Sequence, residues 1–74
     1  MDIEATLRRL ESHYRAALSA TVAAKASYLA LAGELSARPI AIERAKSLWQ
    51  QLDARKRTIV AQMGELEALE DATS

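Results

Sequence analysis

The side chains in this chain that could bind a metal ion or transfer a proton are one histidine and scattered carboxylates. His13 is the single histidine, and there is no cysteine. A helical metal site needs further ligands one turn away, but positions 9, 10, 16 and 17 hold Arg, Leu, Ala and Ala. No nucleophile beside a base, glycine-rich phosphate loop or Glu-x-x-His pair occurs. We therefore expect no catalytic residues, no metal site and no cofactor, and a protein that is not an enzyme.

The densest run of positive charge is Arg55, Lys56 and Arg57. Such a cluster could dock an acidic protein surface or a phosphate backbone. It could equally be a solvated helix face, with the Lys56 stem lying over apolar neighbours. The formal net charge is zero, and no aromatic residues alternate with the cluster as in single-strand binders. These features favour a protein partner over nucleic acid for Arg55, Lys56 and Arg57.

The composition indicates the elements that must position these residues. Ala occurs 16 times and Leu 10 times, both strong helix formers, whereas Phe is absent and strand formers are few. Pro39 is the only proline, and with Gly33 and Ser36 it marks one turn. Asp2 is placed to cap the first helix. The chain is therefore expected to be all-α.

We expect one helical-hairpin domain over residues 1–74. Helix 1 covers about 2–35, the turn about 36–39 and helix 2 about 40–70. Gly33 offers an alternative end for helix 1. Glycine at position 64 and the acidic stretch around residues 65–71 are expected to weaken the end of helix 2.

A heptad rhythm runs through both predicted helices, with spacings that alternate between four and three. Its members, which we call the seam, are Ile3, Leu7, Leu10, Tyr14, Ala17, Thr21, Ala24, Tyr28, Leu31 and Leu35, then Ile42, Ala45, Trp49, Leu52, Lys56, Ile59, Met63, Leu66 and Glu70. Folding the chain at the turn brings these residues opposite one another in layers. The layers include Leu35 with Ile42, Tyr28 with Trp49, Thr21 with Lys56, and Tyr14 with Met63. This self-consistent pairing predicts an antiparallel, coiled-coil-like helical hairpin.

Tyr28 and Trp49 have two possible roles. Their seam positions favour packing between the helices. Trp and Tyr are also enriched at binding hot spots, so both residues are candidate anchors for a partner.

A second apolar stripe flanks the seam and has no cover within one hairpin. Its main members are Leu18, Val22, Leu29, Leu48 and Val60. Because a two-helix core is thin, we expect this stripe to mediate self-association, most simply as a homodimeric four-helix bundle. A monomer with an exposed stripe and an obligate heterodimer remain alternatives.

The leading functional hypothesis is a small interaction protein that binds and regulates a larger protein as inhibitor, adaptor or co-chaperone. In size and proportions the chain resembles the helical-hairpin co-chaperones of type III secretion needles and compact phage-encoded regulators of bacterial host proteins. The alternatives are a dimer similar to plasmid-control four-helix proteins that bind RNA or DNA, here through residues 55–57, and a pure oligomerisation module.

The expected source and location rest on composition. Arg outnumbers Lys seven to three beside the Ala excess, which indicates a GC-rich bacterial or phage coding sequence. No apolar run approaches the roughly 18 residues of a membrane span. We therefore expect a cytoplasmic protein with no membrane partner.

Overall fold

The computed structural model describes residues 2–73, so Met1 and Ser74 of the predicted domain lie outside the described residues. Two helices account for nearly all of this range: α1 (Ile3–Ala32) and α2 (Pro39–Thr73). Residues 2–73 contain no strand, which confirms the all-helical prediction. The helices pack against each other to give a rod 58 Å long and 15 Å across.

The two helices run antiparallel. Tyr28, near the end of α1, stacks on Trp49, near the start of α2. Tyr14, nearer the start of α1, shares a cleft with Met63, nearer the end of α2. These neighbours are the predicted layers, so the hairpin and the register of these two layers are confirmed.

Both helices begin at a start signal in the sequence, an N-cap for α1 and a proline for α2. The Asp2 carboxylate accepts a hydrogen bond from the Ala5 backbone N–H at 3.2 Å, which satisfies one of the free donors at the start of α1. Pro39 occupies the first turn of α2, where its missing N–H leaves no acceptor unpaired. The Arg38 carbonyl accepts from the Ile42 N–H at 3.2 Å, which is the first α-helical hydrogen bond of α2, and also from the Ala41 N–H at 3.0 Å. The predicted Asp2 cap is confirmed.

α1 ends at Ala32 with Gly33 as its C-cap, which is the alternative end offered by Gly33 and not the helix to residue 35. The Gly33 N–H makes the last helical bond, to the Leu29 carbonyl at 3.1 Å, and the chain then enters the turn at 33–38. Leu35 lies in this turn with its side chain fully exposed, at 107%. The predicted layer of Leu35 with Ile42 is therefore wrong, because reversing the chain takes residues that the heptad rhythm assigned to the helix.

The seam is otherwise the contact between the helices. Seventeen of its nineteen members are buried or partly buried, and the exceptions are Leu35 and Glu70. The core is thin, however, since the buried apolar side chains among the described residues are Ala17, Ala24 and Ile59.

Thr21 is the buried polar residue of this core. Its hydroxyl donates a 2.7 Å hydrogen bond to the Ala17 carbonyl, so no buried polar group is left without a partner in the described chain. The middle of α1 thus contributes only the small side chains of Ala17, Thr21 and Ala24 to the seam, and these bury little apolar area.

Candidate interaction surfaces

The hairpin has two long side faces, one on each side of the seam. Residues three, four or seven apart share one side of a helix. We define the leucine face by Leu18, Val22, Lys25 and Leu29 of α1 with Asp53, Arg57, Val60, Gly64 and Glu67 of α2. We define the alanine face by His13, Ala16, Ala20, Ala23 and Ala30 of α1 with Leu48, Arg55, Gln62 and Leu69 of α2.

Two clefts between the helices confirm that these faces are distinct. One is lined by Tyr14, Val60, Met63, Gly64 and Glu67, on the leucine face. The other is lined by His13, Ala16, Ala17, Ala20, Leu52 and Arg55, on the alanine face. Val60 and Arg55 are five positions apart, or about 140° around a helix of 3.6 residues per turn, with seam residues between them. The clefts therefore open on different sides of the rod.

The leucine face carries most of the large apolar side chains that the hairpin leaves exposed on its flanks. Leu18 is 37% exposed, Val22 60%, Leu29 56% and Val60 49%. All four belong to the set predicted for self-association, and none is covered by the chain itself. They form a discontinuous apolar strip along the middle of the rod, interrupted on α1 by Lys25.

Leu48, the fifth residue of the predicted self-association set, lies elsewhere. It is also exposed, but it precedes Arg55 by one heptad and so belongs to the alanine face. One flat interface cannot cover Leu48 and Val22 together. The sequence prediction named five exposed residues and treated them as one surface, whereas they belong to two.

The two candidate anchor residues pack on each other. The rings of Tyr28 and Trp49 stack at 5.7 Å between centroids and 12° between planes. The Lys25 Nζ lies 5.6 Å from the Trp49 ring centroid, within reach of a cation–π interaction. Both rings are partly buried, so they join α1 to α2 near the turn and still present an edge to solvent.

The basic cluster does not form one surface. Asp53 binds two of its members, with Lys56 Nζ at 3.1 Å and an Arg57 terminal nitrogen at 2.9 Å. Successive residues of a helix point about 100° apart. Lys56 therefore lies at the seam, Arg57 on the leucine face and Arg55 on the alanine face. Within residues 2–73, Arg55 makes no ion pair and is the member that faces solvent with its charge uncompensated.

Gly64 is a feature of the leucine face that the sequence reasoning treated only as a weak point of helix 2. It lies in the interior of α2, one turn after Val60, with no positive φ. A Cβ built at this position would meet nothing within 4 Å. Glycine inside a helix costs about 1 kcal/mol relative to alanine. Neither the backbone conformation nor packing within the described chain requires it.

Other kinds of site are not found in residues 2–73. No three His, Cys, Asp or Glu side chains come together as a metal ion would require. Neither helix has the length and apolar character needed to cross a membrane.

No family model, curated protein or solved structure matches this chain.

Proposed function

We propose that the chain is a small, non-enzymatic interaction protein that pairs with a second copy into a four-helix bundle and binds and regulates a larger protein. Inhibitor, adaptor and co-chaperone are the roles that such a module can fill. The observation that carries this proposal is the uncovered apolar strip of the leucine face, centred on Val22 at 60% exposure.

The thin core supports the need for a partner. The chain exposes 5626 Å², whereas a globular monomer of 8.1 kDa exposes about 4,500 Å². None of the described large side chains is fully buried. A single hairpin of this kind gains little from apolar burial, so covering a further face adds the stability that the seam alone does not provide.

A second copy has enough surface to offer. A globular particle of twice this mass exposes about 7,400 Å², so pairing two chains at that compactness would bury at most roughly 3,800 Å² in total. Stable homodimer interfaces fall in the range of about 2,000–5,000 Å². The area available for a symmetric pair built on the leucine face therefore reaches the range of permanent dimers even well short of this limit.

The alanine face is then the surface that remains for a larger protein. Apart from His13, its α1 side consists of alanines whose small side chains let another helix approach closely. Leu48 and Leu69, both about half exposed, flank this side on α2. Arg55 supplies a positive charge that suits an acidic partner.

The dimer is tested by sedimentation equilibrium at micromolar concentration with Val22→Glu and the control Ser19→Glu. Ser19 is exposed on the outer side of α1, away from both faces. We expect wild type and Ser19→Glu to be dimers and Val22→Glu to be a helical monomer. A well-folded monomeric wild type would refute the self-association.

The regulated partner is tested with Leu48→Glu, which alters the alanine face and leaves the leucine face unchanged. Affinity purification from the native cell should recover a stoichiometric protein with wild type and Ser19→Glu, and lose it with Leu48→Glu. Recovery of no protein by a dimeric wild type would leave a pure oligomerisation module. Salt-sensitive recovery of RNA or DNA, lost with Arg55→Ala, would instead support the nucleic-acid alternative.

A further inference from the structure

Gly64 is out of place in an otherwise strong helix-forming segment. It interrupts α2 nine residues before its end, where alanine would give the same backbone and a more stable helix. Nothing in the described chain lies within 4 Å of the missing Cβ, so the hairpin would accommodate alanine without any shift. Within the described chain nothing requires glycine at this position, so a role for it has to involve another molecule.

The surroundings of Gly64 show the direction from which another molecule would approach. The absent side chain leaves a cleft bounded by Tyr14, Val60, Met63 and Glu67, with Val60 half exposed. Val60 and Leu18 flank the same stretch of seam, so the cleft is continuous with the apolar strip of the leucine face. The cleft floor is apolar, and Glu67 borders it with a charge.

We propose that Gly64 is the point where the second copy of this chain approaches the leucine face most closely, with a helix of that copy lying over the Gly64 cleft. This inference rests on the proposed homodimer and adds its contact point. A second copy is the occupant that the area favours, because two chains that each expose 5626 Å² have up to roughly 3,800 Å² to bury on pairing, and stable homodimers need about 2,000 Å² or more.

The symmetry of the pair strengthens the contact. In a two-fold dimer every contact occurs twice, so each copy both presents its apolar side chains and receives those of its partner. Interaxial distances between packed helices range from about 8 to 10 Å according to the side chains at the crossing. A glycine at the crossing permits the shorter distance, and a larger residue there would push the helices apart at both symmetric positions.

Gly64→Ala is expected to stabilise the separate hairpin and to weaken the dimer. The folding equilibrium constant of the separate hairpin should rise about fivefold, because alanine is the better helix former and its Cβ has free space. The dimer dissociation constant should also rise, by about tenfold or more, because the methyl group occupies a close contact twice. Gly64→Leu should weaken the dimer further. A glycine with no contact role would show the first effect without the second.

Sedimentation equilibrium measures the dissociation constant, and urea unfolding below that concentration measures the stability of the hairpin. Ala61→Gly and Ala61→Leu are matched controls, since Ala61 is exposed on the outer side of α2. They should alter hairpin stability and leave the dimer unchanged.

A stabilised hairpin that dimerises less tightly in Gly64→Ala supports the inference. Unchanged dimerisation of Gly64→Ala, in a protein that Val22→Glu still dissociates, overturns it and leaves the dimer in place. A wild type that never dimerises overturns both. If Gly64→Leu fails to fold, Gly64→Ala alone still tests the inference, because the helix tolerates alanine.

Discussion

Shortening Ile59 to alanine should remove a large share of the stability of the hairpin. Ile59 is the one large apolar side chain among the described residues that is buried, at 8% exposure, and the other buried residues are Ala17, Thr21 and Ala24. Ile→Ala changes in protein cores cost about 2–5 kcal/mol. We expect about 3 kcal/mol here, because Ile59 is buried while the core around the seam is thin.

This loss is large in comparison with the free energy of unfolding of the whole chain. At about 0.05–0.15 kcal/mol per residue, a 74-residue chain has a free energy of unfolding of roughly 4–11 kcal/mol. A loss of about 3 kcal/mol would lower Tm by roughly 12–24 °C for a domain of this length. Ile59→Ala should therefore keep roughly 1–8 kcal/mol of its free energy of unfolding and show a clearly lower Tm.

Val60→Ala is the matched control, because Val60 is the next residue and is 49% exposed. In the separate hairpin it should change the free energy of unfolding by less than about 0.5 kcal/mol, since lost contact is offset by the better helix propensity of alanine. Urea unfolding followed by circular dichroism, at a protein concentration below the dimer dissociation constant, measures both variants. Equal losses for Ile59→Ala and Val60→Ala would refute the assignment of Ile59 to the seam and of Val60 to a solvent-facing flank.

Three further predictions concern single contacts. The stacked rings of Tyr28 and Trp49 should show a coupling free energy of about 0.5–1.5 kcal/mol in a double-mutant cycle with leucine at each position, and additive losses would contradict the stack. Asp2→Ala should lower the free energy of unfolding by about 1 kcal/mol in urea titrations, whereas Asp2→Ser should retain most of it, because serine also accepts at an N-cap. Asp53→Asn should cost less than about 1 kcal/mol at low salt and almost nothing in 1 M NaCl, since Asp53 holds two positive groups near the surface. A salt-independent loss would argue against the ion-pair role.

Much of the fold could be predicted because the seam is a local, repeated signal. Spacings of four and three identified the contacting side of each helix, and a single proline located the reversal, which together paired Tyr28 with Trp49. The failure at Leu35 has a definite cause. A heptad pattern assumes a continuous helix, so it does not show how many residues at the end of the helix belong to the turn.

The candidate surfaces were predicted less completely. Exposure of Val22 and Val60 follows from their positions beside the seam, but the separation of Leu48 from them depends on which side of the seam each residue flanks. The sequence contains that difference, since Leu48 directly precedes the seam residue Trp49 and Val60 directly follows the seam residue Ile59. The identity of a protein partner is not encoded in this way, because the partner's own surface determines half of the contact.

In the antiparallel hairpin, the chain entropy lost on forming a layer increases with the distance of that layer from the turn. Bringing Tyr28 to Trp49 closes a loop of about 20 residues, whereas bringing Tyr14 to Met63 closes one of about 50, which costs roughly 0.7–0.8 kcal/mol more in chain entropy. The aromatic layer beside the turn can therefore form first, and the layers farther from the turn form after it in order. Transient openings should run in the reverse order, so the segment around Gly64 separates while the turn end is still closed.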